Sequence, residues 1–571
     1  MIFTRKKILY FGIGTVFVVI AIHASYIGGG FVGIDHGDIE YGRALRPLSD
    51  ISGIFTERFG QTGFYRPLVT FFNSLDARVY GRAIYGFRLT NILLHAIFAV
   101  AVYFFARSFF LCTQKEGLFV MLVAGVHPLS WPIVGAVHYR SELLVAIFTL
   151  AAVGAHISAR VKGKKVYVAL TFLFFLAALF SKETALVWIP ALMLYWEIFL
   201  CSLPQSSLKK RFSRILFSLE IFAIILYSFL RAYAVPELWR VVAVHFSFSE
   251  ALGMRLGALG WQFAYLVSPI LPALSDAMPR MGVLHPLVLG TVALLVLSVF
   301  VLWRKGFSSL EGRAFVFLAL ALASALNIIP TPRFTSPHYG YLATAGVGVV
   351  FLIIWRYARE YSEWGGRFLI GLGAAWVVVA SILVFHGGFR FENDKILFVP
   401  EVARDGHFLE GHYFLGNYYF NLKDYSSAAH EYEEALKVSP NIIAHIDVSS
   451  VVINLAEVRI EQNQLEAADE LLKNIAKDAG GLEILVAYNR ARIAYARRNF
   501  ADVVTLLTLE DYNWKVPEPP LLLADSLIRL GRNKEAVDML IRFLPLFNEE
   551  DQIQARAFIA EQLQADQSRQ R

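Results

Sequence analysis

The chain has 571 residues, of which 56% are hydrophobic, 14% aromatic (47 of them Phe) and only 17% charged, whereas soluble domains carry about 25% charged residues. The formal charge of +7 is split: residues 400–571 hold 18 Lys+Arg against 27 Asp+Glu, net −9, and the remainder holds 35 against 19, net +16. The overall basic balance is therefore no argument for nucleic-acid binding, and two cysteines, Cys112 and Cys201, exclude a disulfide framework.

The first apolar run, roughly Ile8 to Tyr26, follows Arg5-Lys6-Lys7 and has no convincing cleavage site before the next segment. It predicts a retained signal anchor. Residues 29–85 mix Asp35, Asp38, Glu40, Arg43, Arg46, Glu57, Arg58 and Arg66 with aromatics. That segment is too polar to span a bilayer and suits short helices lying in the interface. Within it, Asp35 is a candidate general base toward a hydroxyl, the plainer alternative being a solvated loop acid. Arg66, in Tyr65-Arg66-Pro67-Leu68, offers a planar guanidinium to phosphate oxygens or lipid head groups.

Apolar runs near 20 residues, the length that crosses about 30 Å of hydrocarbon, then recur at 86–107, 117–136, 141–159, 166–181, 184–202, 214–234, 255–274, 285–303, 314–330, 338–356 and 367–387. Short basic loops, including 160–165, 304–305 and 356–367, are placed inside by the positive-inside rule. Parity then favours eleven crossings, with thirteen as the alternative. The doubtful region is 235–285, where Pro269 and Pro272 interrupt the run. Either count puts the amino terminus in the cytoplasm and the acidic tail outside.

Polar clusters fall at the outer ends of these runs. His95 lies inside a span and suits a helix–helix hydrogen bond better than a ligand role. His127-Pro128 and His138-Tyr139-Arg140-Ser141-Glu142 flank one outer loop, at spacings that fit no zinc pattern. Ser181-Lys182-Glu183-Thr184 forms a tight outer turn, either a local ion pair or an ammonium aimed at a phosphate. Thr331-Pro-Arg333 leads to His338-Tyr339-Gly340-Tyr341, which suits a sugar phosphate or an interfacial aromatic belt. No phosphate-binding glycine loop, nucleophile elbow or HExxH pattern is present.

Beyond residue 399 the apolar runs stop. Leu415, Gly416, Tyr419, Ala428, Tyr432, Ala435 and Pro440 keep the spacings of the 34-residue tetratricopeptide (TPR) signature. Further units follow at Leu455–Leu472, Ala491–Val503 and Ala524–Leu540, with a capping helix near 550–565. The prediction is an all-α chain: a polytopic transmembrane bundle over 1–398, then a TPR solenoid of about four repeats over 399–571 whose groove takes an extended polypeptide. A stabilising or dimerising appendage with no ligand is the other reading of the tail.

In order and spacing, Asp35, Tyr65-Arg66-Pro67-Leu68, Asn91-Ile-Leu-Leu-His95-Ala96, His127-Pro128, Arg140-Ser141-Glu142-Leu143-Leu144, Ser181-Lys182-Glu183 and His338-Tyr339-Gly340-Tyr341-Leu342, followed by the repeats, resemble the C-type glycosyltransferases. The nearest group is that of the transmembrane-and-TPR protein O-mannosyltransferases and their bacterial relatives. Two departures stand out: His36 occupies the place of a second adjacent acid, and His338 that of an arginine, with Arg333 nearby. The resemblance implies transfer of mannose or a similar hexose from a polyprenyl phosphate to Ser/Thr hydroxyls of an exported protein, with inversion. It implies Asp35 as base, with His36 positioning it or the acceptor. Arg66, Tyr65, Arg140, Glu142, Lys182, Arg333, His338, Tyr339 and Tyr341 would bind the donor phosphate and sugar. The implied setting is a bacterial inner membrane. The implied partners are the bilayer, the lipid-linked sugar and the acceptor polypeptide, with no metal and no other cofactor. A non-enzymatic scaffold for assemblies on the outer face is the alternative, and a lipid or solute transporter a weaker one.

Overall fold

A computed structural model describes residues 5–60, 62–201, 207–236, 246–328, 331, 333–473, 475, 482–508 and 516–569. It divides into two compact units, residues 1–406 with 439–445, and residues 407–438 with 446–571. The first division lies past the predicted 398/399 boundary, because the helix Asp394–Arg404 belongs to the first unit.

The first unit runs α1 (Arg5–Ile22), α2 (Ile51–Thr56), α3 (Pro67–Tyr80), α4 (Ile84–Ser108), α5 (Gln114–Gly125), α6 (Ser130–Gly135), α7 (Arg140–Lys162), α8 (Lys165–Leu179), α9 (Ala185–Tyr195), α10 (Ser207–Ala234), α11 (Phe248–Val267), α12 (Pro286–Lys305), α13 (Leu310–Ala321), α14 (Thr344–Tyr361), α15 (Glu363–Gly388) and α16 (Asp394–Arg404). Six helical stretches among the described residues are long and apolar enough to cross a membrane: Ile8–Tyr26, Ile84–Ser108, Val137–Lys162, Arg214–Ala234, Pro286–Lys305 and Glu363–Glu392. The other predicted spans are shorter or broken. Run 117–136 splits into α5 and α6 at His127-Pro128, where the His127 ring accepts from Leu129 N–H (3.2 Å) and donates to Leu266 O (3.0 Å). Run 338–356 opens with a 3₁₀ turn, Pro337–Gly340, before α14. In run 255–274, α11 stops ahead of Pro269, as the restriction on residues preceding proline requires. The ends of runs 184–202 and 314–330, residues 237–245 of the doubtful region and Pro332 lie outside the described residues.

Helix α7 packs against α8 and α4, and α4 against α5. The high Phe content is used in this core: Phe105 stacks on Phe109 (4.8 Å between centroids) and meets Phe317 at 5.2 Å, with Phe98 on Tyr341 at 4.7 Å. Ring pairs of this kind contribute about 0.5–1.5 kcal/mol each beyond area burial. A two-residue antiparallel pairing joins Met278–Pro279 to Ile442–Ile443.

The second unit is a series of helix pairs: α17 (Leu409–Asn421) with α18 (Tyr425–Ala435), α19 (Val448–Glu461) with α20 (Leu465–Lys473), α21 (Glu483–Ala496) with α22 (Phe500–Thr508) and α23 (Glu518–Arg529) with α24 (Asn533–Phe543), followed by α25 (Glu549–Arg569). Gly416 is required by close approach, since a Cβ there would collide with the Tyr432 ring. The turn inside each pair places one residue in the left-handed region: Lys423 (φ 61°), Asn463 (φ 58°), Arg498 (φ 59°) and Gly531 (φ 73°). The first helices of successive pairs lie side by side. Polar ties join them: Asn454 Nδ2 donates to Asn417 Oδ1 (2.9 Å), and Arg492 pairs with Glu457 (3.0 Å) and with Glu461.

Candidate functional site

Much of the site predicted from sequence is brought together in the first unit. Proline at the first position of α3 fixes the start of that helix, so Arg66 sits directly before it. Arg66 Nε and Nη2 donate to the two carboxylate oxygens of Glu183 (3.4 and 3.1 Å), and its guanidinium lies 4.1 Å from the Phe64 ring centroid. Leu68 N–H donates to Phe180 O (3.1 Å), binding the start of α3 to the turn before α9. In that turn Lys182 pairs with Glu142, in the first turn of α7, and Glu142 also faces His338 Nε2 at 3.6 Å. The charges of Lys182, Arg333, His138 and Arg66 all act on His338. Rings complete the contact: Tyr139 meets His338 at 4.9 Å, and Tyr339 meets it at 4.4 Å. The N-termini of α3, α7 and α9 thus lie at one cluster, each bringing about half a positive charge that favours an anion.

Four predicted site residues have other occupations. Arg140 is fully buried: it donates to Asn91 Oδ1 (2.9 Å), Asn73 Oδ1 (2.9 Å) and Phe87 O (2.8 Å), and pairs with Asp76 (2.7 Å). It ties α3, α4 and α7 together, with four of its five N–H groups committed to these partners. Tyr65 is buried, its hydroxyl donating to Phe55 O (2.7 Å). Tyr341 turns away from the cluster and donates to His95 Nδ1 (2.7 Å), whose Nε2 donates to Gly125 O (3.0 Å). Tyr339 stays at the cluster but spends its hydroxyl on Arg333 O (2.8 Å). Each is a polar group that burial obliges to find a partner.

Asp35 is enclosed as well. It is 0% exposed, and its carboxylate accepts from Val137 N–H (2.8 Å), His138 N–H (2.9 Å) and His138 Nδ1 (2.9 Å). Burial alone would raise its pKa, but these hydrogen bonds and the charge of His138 outweigh it and hold the carboxyl below its usual range. Three of the roughly four acceptor sites of the carboxylate are thus taken, and it anchors the first loop to the start of α7.

His36 is a clamp. Its Nδ1 faces Glu40 (2.5 Å) and its Nε2 Asp394 (3.1 Å), whose other oxygen accepts Gly33 N–H (2.7 Å). Burial works against the imidazolium, yet the two carboxylates raise the ring to about 9. Asp394 is absent from the sequence reading. It lies in the first turn of α16, and only the Asn393 cap before it marks the position. Asp38, in the turn His36–Glu40, is half-buried and raised to about 6, chiefly by burial. Among the described residues no group of three or more His, Cys, Asp or Glu is arranged to hold a metal.

The chain is similar to known proteins in two respects. The tetratricopeptide repeat family matches residues 409–442, which are the α17–α18 pair and the strand residue that follows it. A protein O-mannosyl-transferase of Caenorhabditis elegans is 26% identical over 199 residues, covering 31% of this chain and 27% of that relative. The match thus spans about a quarter of the relative's length. These similarities associate the chain distantly with a protein O-mannosyl-transferase and establish a repeat in its carboxy-terminal part.

Proposed function

We propose that the chain is a polytopic membrane glycosyltransferase that moves mannose or a similar hexose from a polyprenyl phosphate to Ser/Thr hydroxyls of an exported protein. The observation that carries this reading is the meeting of motifs far apart in sequence, Arg66, Glu142, Lys182–Glu183 and His338–Tyr339, at one cluster of paired charges that fixes two cations, Arg66 and Lys182. The distant mannosyl-transferase relative supports it.

In this reading the donor phosphate sits against Arg66 and Lys182. Glu183 engages Nε and Nη2 of Arg66 and leaves Nη1 uncommitted among the described residues. Glu142 takes one of the three Lys182 ammonium hydrogens. Fixed cations of this kind stabilise charge developing on the leaving phosphate without reorganising. Tyr339 and His338 supply flat surfaces for the sugar. The acceptor attacks from the face opposite the phosphate, which inverts the anomeric carbon. Eleven crossings, a cytoplasmic amino terminus and a repeat unit on the same side as the cluster complete the proposal, with a bacterial inner membrane as its setting and the repeat groove holding the acceptor. No metal is assigned a role.

The test is a comparison of exported proteins from cells with and without the gene. Mass spectrometry should find hexose on Ser or Thr only when the gene is present. A reporter fused after Arg571 should read as extracytoplasmic; a cytoplasmic signal would separate the acceptor unit from the site and defeat the arrangement.

A further inference from the structure

The first outer segment contains a second carboxylate for which neither the fold nor its ion pairs have a use. Asp35 and Asp38 lie in and beside one helical turn, His36–Glu40, yet they differ in every physical respect. Asp35 is sealed in and accepts three hydrogen bonds. Asp38 is partly open, and its carboxylate accepts no hydrogen bond from any described residue; only its backbone carbonyl is engaged, by Ala44 N–H (2.9 Å). A half-buried anion left without donors costs free energy, so its retention needs another account.

The turn that carries it is held on both sides. Asp35 fastens one end to His138 and Val137, and His36 fastens the middle to Glu40 and to Asp394. The charged groups that act on Asp38 are His138, Asp35, Arg43 and Arg66. Arg66 is also the residue paired with Glu183 beside Lys182. An unsatisfied carboxylate is therefore fixed within the electrostatic reach of Arg66, one of the two cations of that cluster.

We propose that Asp38, rather than Asp35, is the catalytic base that receives the acceptor's proton, and that Asp35, His138 and the His36 clamp are positioning residues. This rests on the glycosyltransferase reading above. In the step, the acceptor oxygen forms a bond to the anomeric carbon as the bond from that carbon to the phosphate oxygen breaks. The electron pair of the broken bond leaves with the polyprenyl phosphate, held by Arg66 and Lys182. The hydroxyl proton goes to the Asp38 carboxylate and then to water. A carboxyl raised to about 6 by burial is still mostly ionised at neutral pH and is a stronger base than an exposed aspartate.

The experiment uses the full chain in proteoliposomes, with polyprenyl phosphate mannose as donor and a Ser/Thr-rich peptide as acceptor. Asp38→Asn should lower kcat at least 100-fold, leave the donor KM within about twofold and keep the wild-type melting temperature. The wild-type kcat should rise with pH through about 6, and that limb should vanish in the variant. Asp38→Glu should recover part of the rate. Asp35→Asn presents an amide to backbone N–H donors, so it should melt earlier, while its folded fraction keeps the wild-type pH profile. Wild-type kcat in Asp38→Asn, or loss of kcat in folded Asp35→Asn with Asp38→Asn unaffected, would overturn the assignment and leave the glycosyltransferase reading standing. No transfer by the wild-type chain would overturn both.

Discussion

Helix α7 carries a cluster of charged side chains at each end, and the two clusters are built differently. At its carboxy-terminal end His156 sits between Glu197 (3.0 Å) and Glu220 (3.4 Å), and Arg160, one turn on, pairs with Glu197 (2.6 Å). Two cations meet two carboxylates, and each ionised group faces an opposite charge. At its amino-terminal end, roughly 21 Å away at 1.5 Å per residue, Glu142 meets Lys182 and His338, with the Arg66–Glu183 pair beyond. There, donors of Arg66 and Lys182 and the Asp38 carboxylate remain uncommitted. Residue types and one-to-one charge pairing are shared between the clusters; the amino-terminal one adds the Asp38 carboxylate, which accepts no hydrogen bond from any described residue, beside donors of Arg66 and Lys182 that face no carboxylate. A closed set of charges among apolar helices staples them together, whereas an open one is prepared for a ligand that brings the missing partners.

That contrast can be broken or sharpened. The largest effect is expected at the amino-terminal cluster. Replacing both members of its pair by neutral, similarly shaped residues, Lys182→Met with Glu142→Gln, avoids leaving a buried charge unpaired. It should still lower transfer 100- to 1,000-fold, the scale of losing one electrostatic stabiliser of a transition state. Mannose transfer to peptide, set beside the melting temperature, checks this.

The carboxy-terminal cluster should respond in the opposite sense. His156→Ala leaves Glu197 and Glu220 sharing one cation, so it should destabilise the chain by about 3 kcal/mol, with kcat unchanged in the fraction that remains folded. Thermal unfolding in detergent measures the first quantity and turnover the second. A large loss of kcat without loss of stability would erase the distinction between the two ends.

A smaller, pH-dependent effect belongs to the His36 clamp. Its folded pKa, about 9, lies above the unfolded value near 6.5. Its contribution is therefore fully present below about pH 6.5 and is lost as pH rises through about 9. The melting temperature should fall over that window, and Asp394→Asn should flatten the fall. The smallest effect lies in the repeats. Arg498 holds a left-handed conformation that the equivalent residue of the last pair, Gly531, adopts freely. Arg498→Gly should stabilise the second unit by up to about 1 kcal/mol, seen as a later denaturation midpoint.

What the sequence made legible follows the range of the interactions. The repeats are local: Gly416 and Tyr432 announce their contact through spacing within one unit. Helix positions in the first unit were legible from hydropathy, but their lengths were not, because an apolar run does not register a break such as His127-Pro128. The cluster at the start of α7 was visible as a succession of short motifs. Which members are open and which are structural was not, since a buried Arg140 and a ligand-binding arginine have the same letter. Arg140 is decided by Asn73, Asp76 and Asn91 folding around it. Asp35 and Asp38 are separated only by the donors of residues 137 and 138, about 100 positions later, and Asp394 meets His36 across more than half the chain.

The central claim is that the open cluster at the start of α7 is where a lipid-linked sugar reacts. Its most direct test is mannose transfer from polyprenyl phosphate mannose to a Ser/Thr peptide by the reconstituted full chain, with and without the Lys182→Met, Glu142→Gln pair. The account predicts transfer by the wild-type protein and at least a 100-fold loss in a double variant that melts normally. Equal transfer by both proteins, or none by the wild type, would contradict it.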